Sequence, residues 1–156
     1  MNQNSTNRAF ANASQVIGKT IATTLKGIEK EVSQRAYRAS NELRNASLFV
    51  LRGQRTGRRY RVPFTKKTYQ ASAPGEPPAV RTGMFRLSWG THVHVERSGR
   101  KYRAVSSIES KLKTDNGKLL GEILENGGGK IKPRPYKQPI INRALPKIKQ
   151  IYNKPY

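Results

Sequence analysis

Between Ile17 and Val50 apolar residues recur at Ile17, Ile21, Leu25, Ile28, Val32, Ala36, Ala39, Leu43, Ala46 and Val50. Their steps of three and four match the helical period of about 3.6 residues. The pattern predicts one long amphipathic helix, about Phe10 to Leu51, stopped near Gly53. Met1 to Asn7 is polar, with Ser5, Thr6 or Asn7 suited to cap it. Gly18 and Gly27 each weaken the first half by roughly 1 kcal/mol relative to Ala, which favours a kink or a loose first third. The stripe is thin, and the helix is longer than so small a chain can bury. Two arrangements fit: a reach beyond the body to a neighbouring molecule, or a coiled coil. The small Ala36, Ala39 and Ala46 favour close packing on a sheet or helix over a Leu-rich zipper.

The second half changes period. Trp89, Thr91, Val93 and Val95 alternate with Gly90, His92, His94 and Glu96, which predicts a strand. Ser98-Gly99 suits a tight turn, and Lys101 to Ser107 returns as its partner. A shorter hairpin is expected earlier: Arg59 and Arg61 alternate with Tyr60 and Val62, Pro63-Phe64 bends the chain, and Thr68 to Ala73 returns. Between the hairpins, Pro77 and Pro78 hold Glu76 to Val80 as a stiff strap. Thr82 then suits the cap of a short helix on which Phe85 and Trp89 share a face. Ile108 to Gly121 reads as an inserted loop, Leu119 to Leu124 as a short helix or strand, and Gly127 to Gly129 as a flexible link. Pro133 to Pro139 forms a second strap. The last helix follows, with Ile141, Leu145, Ile148 and Tyr152 along one face and a kink or break at Pro146. The fold class expected is α+β: a long N-terminal helix packed on a small, mainly antiparallel sheet, with a short helix and a C-terminal helix. Residues 1–156 are expected to form a single domain, with the long helix at about 10–51, sheet and strap at about 58–107, and loop, second strap and helix at about 108–152.

Charge adds a functional constraint. The chain has 31 Lys and Arg against 9 Asp and Glu, a net charge of +22. Such a chain repels itself and is drawn to polyanions or acidic protein surfaces. Arg52, Arg55, Arg58, Arg59, Arg61, Lys66 and Lys67 concentrate this charge around the first hairpin, with no acid among them. Two readings fit: a solvated edge whose cations discourage strand addition, or a contact with phosphates or an acidic neighbour. No acid follows Glu125, so the C-terminal arm is also cationic. The lack of Cys excludes disulfides and thiolate zinc sites. No apolar run is long enough for a transmembrane helix, and no apolar signal-peptide segment opens the chain, so no membrane partner is expected.

The strap carries a more specific signal. Pro74 to Ser88 reads Pro-Gly-Glu-Pro-Pro-Ala-Val-Arg-Thr-Gly-x-Phe-Arg-x-Ser. It resembles a signature of tailed-phage proteins of the tail-completion, or head–tail joining, family. A second match follows in the same order: Leu124-Glu125-Asn126-Gly127, then Pro133-Arg134-Pro135-Tyr136 and Pro139. The resemblance covers most of the chain from about Arg52, and the 108–121 stretch departs from the compact pattern. It implies a structural protein forming a ring between portal and tail tube. Six copies are favoured, with twelve as the alternative. The implied partners are head-closure and tail-terminator or tail-tube proteins, with genomic DNA passing through the ring. The implied place is the neck of the virion, assembled in the host cytoplasm. Tail-completion, head-closure and terminator roles all remain open. Arg81, Arg86, Arg134, Pro135 and Tyr136 are the candidate contacts between subunits or rings, because Pro-held Arg and Tyr suit interfaces. Tyr136 tucked beneath its own helix is the other reading.

The rival function is a basic protein that binds nucleic-acid backbones without catalysis. Few aromatics and no helix-turn-helix or zinc motif speak against it. No enzyme is expected, and no cofactor. The nine acids are scattered, and no Gly-x-Ser-x-Gly or phosphate-loop pattern occurs. His92 and His94 share a strand face, but only Glu96 lies near in sequence as a further metal ligand.

Overall fold

The computed structural model describes residues 3–99 and 101–155. The protein is α+β, in the order α1 (Gln3–Arg52), β1 (Arg59–Arg61), β2 (Thr68–Gln70), α2 (Met84–Leu87), β3 (Trp89–Ser98), β4 (Lys101–Ser110), α3 (Leu120–Asn126) and α4 (Lys137–Tyr152). The expected sheet is two separate antiparallel ribbons. One is β1–β2, paired from Arg59 with Gln70 to Arg61 with Thr68; the other is β3–β4, paired from Trp89 with Ser110 to Ser98 with Lys101.

Helix α1 is the scaffold. It is continuous through Gly18 and Gly27, so the first third expected to kink or loosen is helical, and Asn7 lies inside it; the side chains of Ser5 and Thr6 lie outside the described residues. Most of its buried positions are small, Ala36, Ala39, Ser40, Ala46 and Ser47, alongside Val32, Arg35 and Leu51. Ser40 and Ser47 donate their hydroxyls to the carbonyls of Tyr37 and Arg44 three residues back, so these polar groups are satisfied without widening the helix. This lets ribbon β3–β4 lie directly along the helix. Ser106 donates to the Ala36 carbonyl at 2.7 Å, and Arg44 Nε to the Trp89 carbonyl at 3.1 Å. Near the ribbon tip the Tyr102 hydroxyl meets the Leu25 carbonyl at 3.4 Å. The body therefore begins near Leu25. The stretch before it, about six turns and roughly 30 Å long, carries exposed Phe10, Val16, Ile17 and Ile21.

On its other side α1 takes α4, which runs antiparallel to it. At one end Tyr136 and Ile140 join Ala46 and Leu51 in the core; at the other, Arg35 reaches the carbonyls of Lys154 and Pro155. The buried stripe of α4 is Ile140 and Ala144, with half-buried Ile148 and Ile151. This corrects the expected face by one position: of its four residues only Ile148 turns inward, while Ile141, Leu145 and Tyr152 are exposed. The close approach of α1 selects Ala144 over its larger neighbour. Helix α4 also continues through Pro146 as one helix, forgoing one backbone hydrogen bond.

The segment read as an inserted loop is mostly ordered structure. Strand β4 continues to Ser110, Lys113 bridges to Leu119, and α3 begins at Leu120. The three-glycine link is a closed turn in which Gly128 and Ile131 exchange backbone hydrogen bonds. Among the described residues no helix is long and apolar enough to cross a membrane.

Candidate functional site

The two straps meet. Gly75 N donates to the Pro133 carbonyl at 3.3 Å, and the Arg134 guanidinium donates to the carbonyls of Ser72 and Ala73. Arg134 N in turn donates to the Leu124 carbonyl at 2.7 Å. The first strap is pinned from the other side by Glu76. Its carboxylate accepts from Thr56 Oγ1 at 2.7 Å, Thr56 N at 3.1 Å and Ala73 N at 2.8 Å. Those bonds, the Thr56 hydroxyl foremost, hold the Glu76 carboxyl below the usual carboxylate range.

After the strap the chain must turn sharply into α2, and Gly83 does so at φ 83°, a conformation open to Gly at little cost. Thr82 Oγ1 lies 3.4 Å from Met84 N, so its capping bond is long, and Gly83 occupies the cap position itself. Phe85 then meets Trp89 edge to face, and both meet Tyr136, with ring centroids 5.5–5.7 Å apart. Trp89 lies in β3 rather than on the short helix.

Tyr136 is the centre of this cluster and only 2 % exposed. Its hydroxyl donates to the Gly121 carbonyl at 3.0 Å. Glu125 accepts from the backbone N–H groups of Tyr136 and Lys137 at 2.9 and 3.2 Å, supplying a remote cap for α4. Tyr136 therefore sits inside its own fold, which corrects its assignment to a contact between subunits. Arg134 serves within the chain as well, holding one strap to the other, and Pro135 is half-buried.

Arg81, Arg86 and Arg134 do come together. They line one open cavity of about 660 Å³, walled by Leu51, Tyr69, the 78–86 strap and the 112–115 loop. Its surface is largely apolar and its basic side chains stand at the strap and at Lys113. Leu112, Leu120 and Ile131, which complete the wall, come from segments that showed no periodicity. Their only signal was size and apolarity, with Leu119, Ile123 and Leu124 nearby, in segments too short to show a period.

The basic hairpin divides into two roles. Arg52, Arg58, Arg59, Arg61, Lys66 and Lys67 are exposed around β1–β2, where Tyr60 and Tyr69 stack at 6.0 Å. Arg55 is not part of that surface. Its guanidinium donates to the carbonyls of Val50 and Pro78, tying the end of α1 to the strap. Burial lowers the Arg55 pKa, with Glu76 opposing the shift. Changing Arg58, Arg59 and Arg61 to Gln should leave the melting temperature nearly unchanged, because exposed charges contribute little to stability. Changing Arg55 alone to Gln should cost about 1–3 kcal/mol by orphaning the two carbonyls. Thermal denaturation of the two variants separates the roles, and equal melting temperatures would contradict the division.

His92 and His94 do not act as a pair. His92 Nε2 meets Glu109 at 3.0 Å, and His94 Nε2 meets Glu96 at 3.1 Å. Among the described residues no three His, Cys, Asp or Glu side chains are grouped to hold a metal ion. Comparison with protein-family models, curated proteins and solved structures finds no match for the chain.

Proposed function

We propose that this chain is a structural protein of a tailed-phage neck, forming a ring of six copies between portal and tail tube and joining tail to head. The observation that carries this reading is the meeting of the two resembling stretches. Pro74 to Ser88 and Leu124 to Tyr136 are far apart in sequence, yet they brace each other through Gly75, Pro133 and Arg134 and share the Phe85–Trp89–Tyr136 cluster. Residues that match one signature thus cooperate in one structural unit, as a shared fold requires. The half-exposed cavity beside that unit and the uncovered first turns of α1 are surfaces that an assembly would cover. On this reading the chain performs no bond chemistry, and its work is self-association and docking.

Cryo-electron microscopy of virions carrying the protein tests the proposal. A closed ring of this fold at the head–tail junction is the expected density. A neck fully accounted for by other chains would refute it.

A second reading, binding to nucleic-acid backbones, is favoured by one observation. The cations of β1–β2 are exposed and gathered on a short ribbon with no acid of its own. Binding of that kind would weaken steeply with salt, because each neutralised phosphate releases counterions.

A further inference from the structure

We propose that the first turns of α1 in one copy lie antiparallel along the exposed flank of α4 in a second copy, joining copies head to tail. This rests on the ring reading above and supplies its contact.

The stripe on α1 does not end where the body ends. Val32 is buried and Ile28 half-buried under the body, and Ile21, Ile17 and Phe10 continue the stripe at steps of seven, four and seven. Nothing covers that continuation: Ile21, Ile17 and Phe10 are 55, 59 and 71 % exposed. A helical face that is packed along half its length and bare along the rest is an unfinished interface.

The flank of α4 has the matching pattern. Ile141, Leu145 and Tyr152 are 45, 43 and 37 % exposed and follow steps of four and seven. Read in the opposite direction, the two series are the same. An antiparallel alignment places Ile21 against Ile141, Ile17 against Leu145 and Phe10 against Tyr152. Helices α1 and α4 already pack antiparallel within one chain, so the contact repeats a geometry that this sequence supports.

Charge selects a second copy as the occupant. Only Arg8 and Lys19 are charged before Lys26, so the arm carries few of the cations of a chain with net charge +22. It can approach Arg143, Lys147 and Lys149 of another α4 with little repulsion, whereas the strongly basic hairpin and C-terminal arm of two copies would repel one another. An acidic partner would find almost nothing on the arm to pair with. Because arm and flank are different surfaces, the contact is heterologous, and repeating it closes a ring where the rotation permits.

Two full-length variants test the contact: an arm variant with Ile17→Asp and Ile21→Asp, and a flank variant with Ile141→Asp and Leu145→Asp. Mass photometry should show a ring for the wild type and loss of the ring peak for each variant, with melting temperatures close to wild type. Mixed in equal amounts, the variants should form dimers and nothing larger. One intact arm then meets one intact flank, and both remaining ends are blocked. If the flank variant melts early, Ile141→Gln with Leu145→Gln replaces it in the same mixture. An arm variant that still forms rings, or a mixture that stays monomeric, would overturn this contact and leave the ring reading standing. A wild type that is monomeric at every concentration and ionic strength would overturn the ring reading itself.

Discussion

Replacing Tyr136 with Ala is expected to lower stability by about 3–5 kcal/mol, the cost of emptying a large buried aromatic site. For a chain of this size the melting temperature should fall by roughly 10 °C or more. The ring meets Phe85 and Trp89 edge to face and packs beside Ile140 and Leu51, so its loss opens the junction of α1, α2, β3 and α4. The fit is tight: a Cβ at Gly121 would lie 2.7 Å from the phenol oxygen. Tyr136→Phe isolates the hydroxyl and should cost about 1 kcal/mol, the net worth of its bond to the Gly121 carbonyl. The two variants also separate by pH. Burial first, then Glu125 and Glu122, push the Tyr136 phenol up to about 12. The unfolded phenol titrates near 10, so its contribution is whole below about pH 10 and is lost as pH rises towards 12. Denaturant titrations across that window should show a steeper decline for the wild type than for Tyr136→Phe. Parallel declines would mean that the phenol is not held in the core.

Replacing Arg35 with Ala is expected to cost about 3 kcal/mol, the second large loss. Arg35 is 2 % exposed, beside buried Val32, Ala36 and Ala39 on the same helix. Its Nε donates to Glu31 at 2.9 Å, and its two terminal nitrogens donate to the Lys154 and Pro155 carbonyls at 2.6 Å each. One planar fork thus closes the end of the chain onto α1 and places a cation at the C-terminal end of α4, where the helix dipole favours it. The same hydrogen bond, with Arg38 nearby, holds the Glu31 carboxyl below the usual range. Arg35→Lys should recover little, because an ammonium lacks the fork geometry. The check is chemical denaturation of both variants, with hydrogen exchange along α4. Full stability in Arg35→Lys would show that charge alone suffices.

What could be read from the sequence follows the physics of periodicity. Helix α1 and ribbon β3–β4 were legible because each carries one continuous apolar face, which writes a period of 3.6 or 2 into the sequence. The inward face of the ribbon is the one expected, Trp89, Thr91, Val93 and Val95. The face of α4 was misread by one position because Ile140 and Ile141, and Ala144 and Leu145, are adjacent. Choosing by size selects Leu145, whereas the spacing between helices selects Ala144. Arg55 was illegible as a brace, since its partners are backbone carbonyls remote in sequence or exposed only by a helix end, and for Arg134 a brace within the chain was only the alternative to an interface. A guanidinium that serves a carbonyl leaves no pattern distinguishing it from one that serves solvent. The cavity wall was partly legible: the strap announced itself through Pro and Gly, but Leu112 and Leu120 join it only through the fold.

The proposed assembly of copies into a closed ring is tested most directly by native mass spectrometry of the full chain across protein concentration and ionic strength. A ring should give one dominant species of six subunits, with twelve as the alternative, that persists at salt concentrations able to strip nucleic acid from a basic protein. A chain that stays monomeric throughout, and gains mass only by adding nucleic acid in a salt-sensitive way, would contradict it.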